Sequence, residues 1–183
     1  MKVVIIFGAY AVGKKTVATY LCALTGFRFY EHPIRYDVLK TLFWKNADAI
    51  DRRLKETVLQ ALCEQEERGI VIPLLWCFDH PNGGKAVRYF ETFFTNAGVE
   101  VCFAELTADD DTLLQRNRDK LAQEMQDDSI DLERSKSDYL WHTDELRYTS
   151  LPGEMQGKRY FWLDTTALSP EEAADRIRGA FHL

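Results

Sequence analysis

Gly8-Ala9-Tyr10-Ala11-Val12-Gly13-Lys14-Lys15-Thr16 carries the most chemical content in this chain of 183 residues. It fits the pattern G-x-x-x-x-G-K, directly after the β-branched run Val3-Val4-Ile5-Ile6-Phe7. Glycines let the backbone curl so that successive amides point inward, and a helix opening behind them adds its positive dipole end. That arrangement cradles phosphate, with Lys14 as a point charge between the β and γ phosphates. Gly8, Ala11, Val12, Gly13, Lys14, Lys15 and Thr16 are the expected nucleotide-binding residues. One position departs from the pattern. The residue after Lys14 is Lys15 where a Ser or Thr hydroxyl would meet Mg²⁺, and Thr16 follows. The departure weakens a direct metal contact more than phosphate binding, so Thr16 is expected on a phosphate oxygen or a metal-bound water.

Acids and bases that could act on such a phosphate lie elsewhere. Asp79 ends the apolar run Leu74 to Phe78, where the carboxyl end of a strand would deliver it near the phosphates. It is expected either to hold a Mg²⁺-bound water or to take a proton from a substrate hydroxyl. Glu105 is a second candidate for that shell. Glu31, His32 and Arg35 follow a short apolar stretch and are candidate substrate-binding residues: a carboxylate can orient a hydroxyl, and an arginine can pair with an anion. Arg116 and Arg118 sit ahead of a polar segment and are candidate catalytic cations, with Arg116 placed on adenine or phosphate. A lid is expected over about residues 117–135. From Asp119 to Ile130 its only cation is Lys120, and Asp127-Asp128 is acidic. That charge disfavours strong turnover of a triphosphate.

The elements that must hold these residues follow from periodicity. Val3 to Phe7 reads as a strand buried on both faces. Helices are expected from Lys14 to Leu24, from Tyr36 to Lys45, and from Asp48 to Arg68. The last of these has Ile50, Leu54, Val58, Ala61 and Leu62 on one face. Strands are expected at Phe27–Tyr30, Ile70–Trp76, Val99–Leu106 and Arg159–Leu163. Pro73, which lacks a ladder donor, argues against the second of these. Ala86–Ala97 is amphipathic. Asp109 is placed to cap a helix carrying Leu113 and Leu114. A polar, mobile stretch is expected over Asp119–Ile130, then a helix over Asp131–Leu146. Ser169-Pro170-Glu171-Glu172 is a helix start with a capping box. Alternation of strands and helices predicts one α/β domain over residues 1–183 with a parallel sheet.

Composition sets limits. Lys and Arg total 23 against 29 Asp and Glu, a net charge of −6, and 46% of residues are hydrophobic. This is a globular composition able to bury a core. No apolar run approaches the roughly 18 residues needed to span a bilayer, so no membrane partner is expected. The negative charge disfavours nucleic acid. Cys22, Cys63, Cys77 and Cys102 lack any C-x-x-C spacing and read as free thiols in a reducing, cytoplasmic setting.

The chain resembles the small P-loop kinases of the shikimate-kinase-like and adenylate-kinase-like group. The resemblance rests on Gly8 to Thr16, the strand end at Asp79, Leu113-Leu114-Gln115-Arg116-Asn117-Arg118, and Leu163-Asp164-Thr165-Thr166 before Ser169-Pro170-Glu171. It implies a three-layer fold around a five-stranded parallel sheet in the order 2-3-1-4-5, with a helical lid. It also implies ATP with Mg²⁺, phosphoryl transfer to a small hydroxyl-bearing acceptor (a metabolite, nucleotide or antibiotic), and a loop around Thr166 bordering the adenine. Adenylate kinases share the offset at Thr16, with glycine in the place of Lys15. The family's lid arginines are mostly missing here, and Asp79-His80-Pro81 replaces the glycine run of authentic shikimate kinases. The alternatives are a nucleotide-binding module with weak or no transfer, or a kinase acting on a protein partner. A monomer or homodimer is expected.

Overall fold

Val3, Ile5 and Phe7 pack on one side of a strand and Val4 and Ile6 on the other, and all five are fully buried. This strand, β1 (Lys2–Gly8), is the middle of the sheet. The computed structural model describes residues 1–31, 34, 36–65, 68–126, 131–143 and 146–183. Among these, the chain continues as α1 (Lys14–Thr25), β2 (Arg28–Phe29), α2 (Tyr36–Phe43), a 3-10 turn (Trp44–Asn46), α3 (Ala47–Glu64) and β3 (Gly69–Pro73). Then come α4 (Lys85–Asn96), β4 (Glu100–Thr107), α5 (Asp110–Met125), α6 (Leu132–Thr143), β5 (Arg159–Asp164) and α7 (Pro170–Phe181). The five strands form one parallel sheet in the order β2-β3-β1-β4-β5.

Each face of the sheet carries its own apolar layer, because side chains alternate along a strand. Val4 and Ile6 meet α1 and α7 through Val17, Leu21, Ala174 and Ile177. Val3, Ile5 and Phe7 meet α3 and α4 through Leu59, Val87, Phe90 and Phe94. Phe7, near the carboxyl end of β1, lies in the second layer, and Val12 of the phosphate loop lies in the first.

Several expected boundaries move. β3 stops at Pro73 instead of Trp76: the Leu74 N–H still donates to Ile6 O at 2.9 Å, after which the chain leaves the sheet. Trp76 and Phe78 then stack on each other at 4.5 Å between centroids and cover Phe7. Helix α5 runs to Met125, through half of the stretch expected to be mobile. Asp109 caps it by accepting from Thr112 N at 2.7 Å, and Gln115–Asp119 and Lys120–Glu124 are linked across single turns. Helix α3 ends at Glu64 rather than at Arg68. The middle of the expected lid, 127–130, lies outside the described residues. No helix among them is long and apolar enough to cross a membrane.

Candidate active site

The phosphate loop leaves β1 through Gly8, whose φ is +143°. A Cβ there would overlap the carbonyl oxygen of Leu106 on β4, so the close approach of the two strands requires glycine. Ala11 at φ +59° and Gly13 at +92° continue the curl. Gly13 caps α1 with no side-chain hydrogen bond, and the first bond inside the helix is from Val17 N to Gly13 O at 3.0 Å. The amides of Lys14, Lys15 and Thr16 therefore precede the helical ladder, as donors suited to an anion.

Lys14 curls back over this loop. Its ammonium donates to Gly8 O at 3.1 Å and Ala9 O at 2.6 Å. Burial, and then the charge of Lys120, lower its pKa from 10.5 to about 7. Two cations thus share one small space. Lys120 is anchored by donating to Tyr10 Oη at 2.7 Å, with its Nζ 4.6 Å from the centre of that ring.

Residues 10–16 line a cavity of about 800 Å³ together with Leu74, Arg116, Lys120, Thr165 and Ser169. Arg116 fastens its walls: it donates to Val12 O at 3.3 Å, Thr165 Oγ1 at 3.0 Å and Thr165 O at 2.7 Å. Asp119 and Glu124 add negative charge to the rim. A second cavity, about 390 Å³, lies on the β3 side between α2, α3 and α4. Lys15, Pro73 and Leu74 line both. Glu31 belongs to the second and pairs with Lys15 at 2.5 Å. His32 and Arg35 lie outside the described residues.

Several expected site residues fall elsewhere. Asp79 lines neither cavity. Both its carboxylate oxygens accept from Arg147 N at 3.0 Å, and Oδ1 accepts from Cys77 Sγ at 3.1 Å. Phe78 N donates to Arg147 O at 2.8 Å, so Asp79 secures the segment after α6. The Arg147 amide, then the Cys77 thiol, hold its pKa below the usual range. Glu105 is buried and accepts from Ser150 N at 2.8 Å, Ser150 Oγ at 2.5 Å and Tyr160 Oη at 2.6 Å. It pins the same segment. Arg118 is two residues from Arg116 and turns away to Asp119 at 2.6 Å. Thr166 accepts from Asp109 N at 2.9 Å, leaving Thr165 on the cavity wall. Gly8 does not line the cavity and contributes its carbonyl to Lys14.

Tyr10 and Thr165 were not among the expected site residues, nor Lys120 among the expected ligand contacts. Lys120 did carry a signal, standing one helical turn beyond Arg116 on the same face of α5. Tyr10 fills a variable position of the loop pattern and carried none. Among the described residues no cluster of three or more His, Cys, Asp or Glu could hold a metal ion.

No family model matches the chain, and no curated protein does. Solved structures match it almost end to end. A kinase candidate from Chloroflexus aurantiacus is 15% identical, with 98% of this chain and 97% of that one covered and a TM-score of 0.62. The tunicamycin resistance protein of Deinococcus radiodurans is 16% identical, covers 100% and 96%, and scores 0.58. Shikimate kinase from Bacteroides thetaiotaomicron is 14% identical, covers 100% and 99%, and scores 0.50. The likeness is one of fold: the chain has the fold of the P-loop small-molecule kinases.

Proposed function

We propose that this protein transfers a phosphoryl group from ATP to a small molecule bearing a hydroxyl. The observation that carries this reading is the shared wall: a phosphate-loop cavity and a second, smaller cavity meet at Lys15, Pro73 and Leu74. Each is of small-molecule size. The first suits a nucleoside triphosphate, since the loop amides, Lys14 and Arg116 are donors and cations suited to phosphate oxygens. The second suits an acceptor, and Glu31 beside Lys15 supplies a carboxylate at the junction. In the transfer, the acceptor oxygen bonds to the γ phosphorus while the bond from that phosphorus to the bridging oxygen breaks. The electron pair leaves with the diphosphate, and the acceptor proton goes to Glu31. Lys14 and the loop amides hold the charge that develops.

Mg²⁺ would neutralise the β and γ phosphates when bound with the triphosphate. Thr16, a hydroxyl on the cavity wall, would meet it or its waters, whereas Asp79 accepts from Arg147 and Cys77 away from the cavity. The tunicamycin resistance protein and the shikimate kinase of like fold support a small-molecule acceptor. A nucleotide-binding module with little transfer is favoured by one observation, the carboxylates of Asp119 and Glu124 on the phosphate side.

Thermal unfolding with millimolar Mg²⁺-ATP tests the site. Ligand at about 100 times its Kd stabilises by roughly 2.7 kcal/mol, which moves the midpoint by several degrees. A shift is expected in the unaltered protein and not in Lys14→Ala. ADP release stimulated by an acceptor then separates transfer from binding alone. No shift, or an equal shift in both proteins, overturns the reading.

A further inference from the structure

Among the described residues that line the second cavity, opposite charges stand in pairs. Lys15 faces Glu31 at 2.5 Å, and Lys55 faces Asp51 at 2.6 Å. Tyr36 donates its hydroxyl to Asp48. Among the described lining residues, each ammonium already meets a carboxylate of this chain. An acidic acceptor would have to displace one of those carboxylates, and a cationic acceptor one of the ammoniums. Either exchange leaves a like charge beside the ligand, more so at the Lys55–Asp51 pair (30% and 16% exposed) than at the Lys15–Glu31 pair at the mouth (70% and 61%), where water screens it. The remaining wall is apolar, chiefly Ile34, Ile72, Leu74, Ala86 and Phe90.

One polar group is left over. Tyr30 lines the cavity, is 6% exposed, and its hydroxyl is buried with no hydrogen-bond partner among the described residues. Its ring stands edge-on to Phe90 at 5.5 Å. Burial, followed by Tyr89 and Asp51, pushes the phenol up to about 12, so it remains a neutral O–H able to donate or accept. A buried hydroxyl left unpaired carries its full desolvation cost, and a ligand oxygen placed beside it removes that cost.

We propose that this cavity selects an uncharged alcohol with an apolar, ring-sized body, held through one of its oxygens by the Tyr30 hydroxyl. The inference rests on the kinase reading for the transfer itself, though not for the binding.

The test uses 4-ethylbenzyl alcohol and the para-carboxylate and para-aminomethyl benzyl alcohols, which are close in size and differ in charge. Each is added to the full chain with Mg²⁺-ATP for ADP release, and without nucleotide for thermal shift. The neutral alcohol is expected to bind and turn over at least tenfold better than either charged analogue. Tyr30→Phe is expected to raise its KM at least fivefold and to raise the unfolding midpoint of the free chain, since the unpaired buried hydroxyl is gone, with the shift caused by ATP unchanged. A charged analogue as good as the neutral one overturns the proposal. So does binding of none of the three while ATP still shifts the midpoint, and so does an unchanged KM in Tyr30→Phe. Binding of the neutral alcohol without ADP release leaves the ligand class standing and removes the kinase reading.

Discussion

Lys14 shows how a residue's surroundings decide what it does. An ordinary lysine keeps its proton to pH 10.5, whereas here burial and Lys120 bring the pKa to about 7. The unfolded chain then binds a proton that the folded chain does not between those two values. Stability contributed by this group is lowest below pH 7 and rises as pH rises towards 10.5. Comparing midpoints of the unaltered protein and Lys14→Met at pH 6 and pH 9 checks the sign: the unaltered protein should gain relative to the variant at the higher pH. A triphosphate restores the lysine's charge, so binding at pH 8 should take up about one proton, read by calorimetry in buffers of different ionisation enthalpy. Release of a proton instead would contradict the arrangement. Asp79 makes the opposite case. Its position at the end of an apolar run suggested chemistry, yet its carboxylate lines neither cavity and accepts from Arg147 N and Cys77 Sγ. Asp79→Asn should therefore leave turnover within a few-fold and speed proteolysis near residue 147. A loss of a hundredfold or more, the scale of a removed general base, would return it to the reaction. Lys14 was legible because a local pattern specifies it. The Tyr10–Lys120 contact was not, because it joins residues 110 positions apart in sequence.

At the scale of elements, patterns with a local cause were the legible ones. The Ser169 helix start appears as a full capping box, with Glu172 N donating to Ser169 Oγ at 3.2 Å and Ser169 N to Glu172 Oε2 at 2.8 Å. Asp109 caps α5 as its spacing suggests. What escaped was decided by partners distant in sequence. The apolar run after Pro73 reads as strand by composition, but its aromatic side chains are drawn off the sheet to cover Phe7. The polar run after Asp119 reads as loop by composition, but α5 is held against α6, where Asn117 Nδ2 donates to Ser135 O at 3.1 Å and Ser135 Oγ to Leu114 O at 2.8 Å, and it stays helical to Met125. Ser169 also lines the larger cavity, so its cap bears on both stability and the site. Ser169→Ala should cost about 1 kcal/mol, a midpoint drop of roughly 2–4 °C for a chain of this length. It should also weaken ATP binding by loosening the first turn of α7. A drop in midpoint with unchanged ATP affinity would confine the cap to folding.

Across the whole molecule, the sheet divides the core into two apolar layers while joining them through every strand. Phe94 on α4 lies in one layer at 0% exposure and Phe181 on α7 in the other at 2%. Truncating either to alanine removes a large buried ring and leaves a cavity, so each variant should lose about 3–5 kcal/mol. If the layers were independent, Phe181→Ala would melt one side first, and near-ultraviolet and far-ultraviolet circular dichroism would report different midpoints. The alternation of β1 argues otherwise. Val4 and Ile6 serve one layer and Val3, Ile5 and Phe7 the other, so neither layer can open without unseating the strand that supports both. A single transition with coincident midpoints is therefore expected for the unaltered protein and both variants. The effects on ligands should still differ. Phe90, one turn before Phe94, lines the smaller cavity, whereas α7 supplies Pro170 and Ala173 to the larger one. Phe94→Ala should disturb the binding of a neutral alcohol more than that of ATP, and Phe181→Ala the reverse. Equal losses of both ligands in both variants would mean that the layers transmit damage through the sheet as freely as they share its stability.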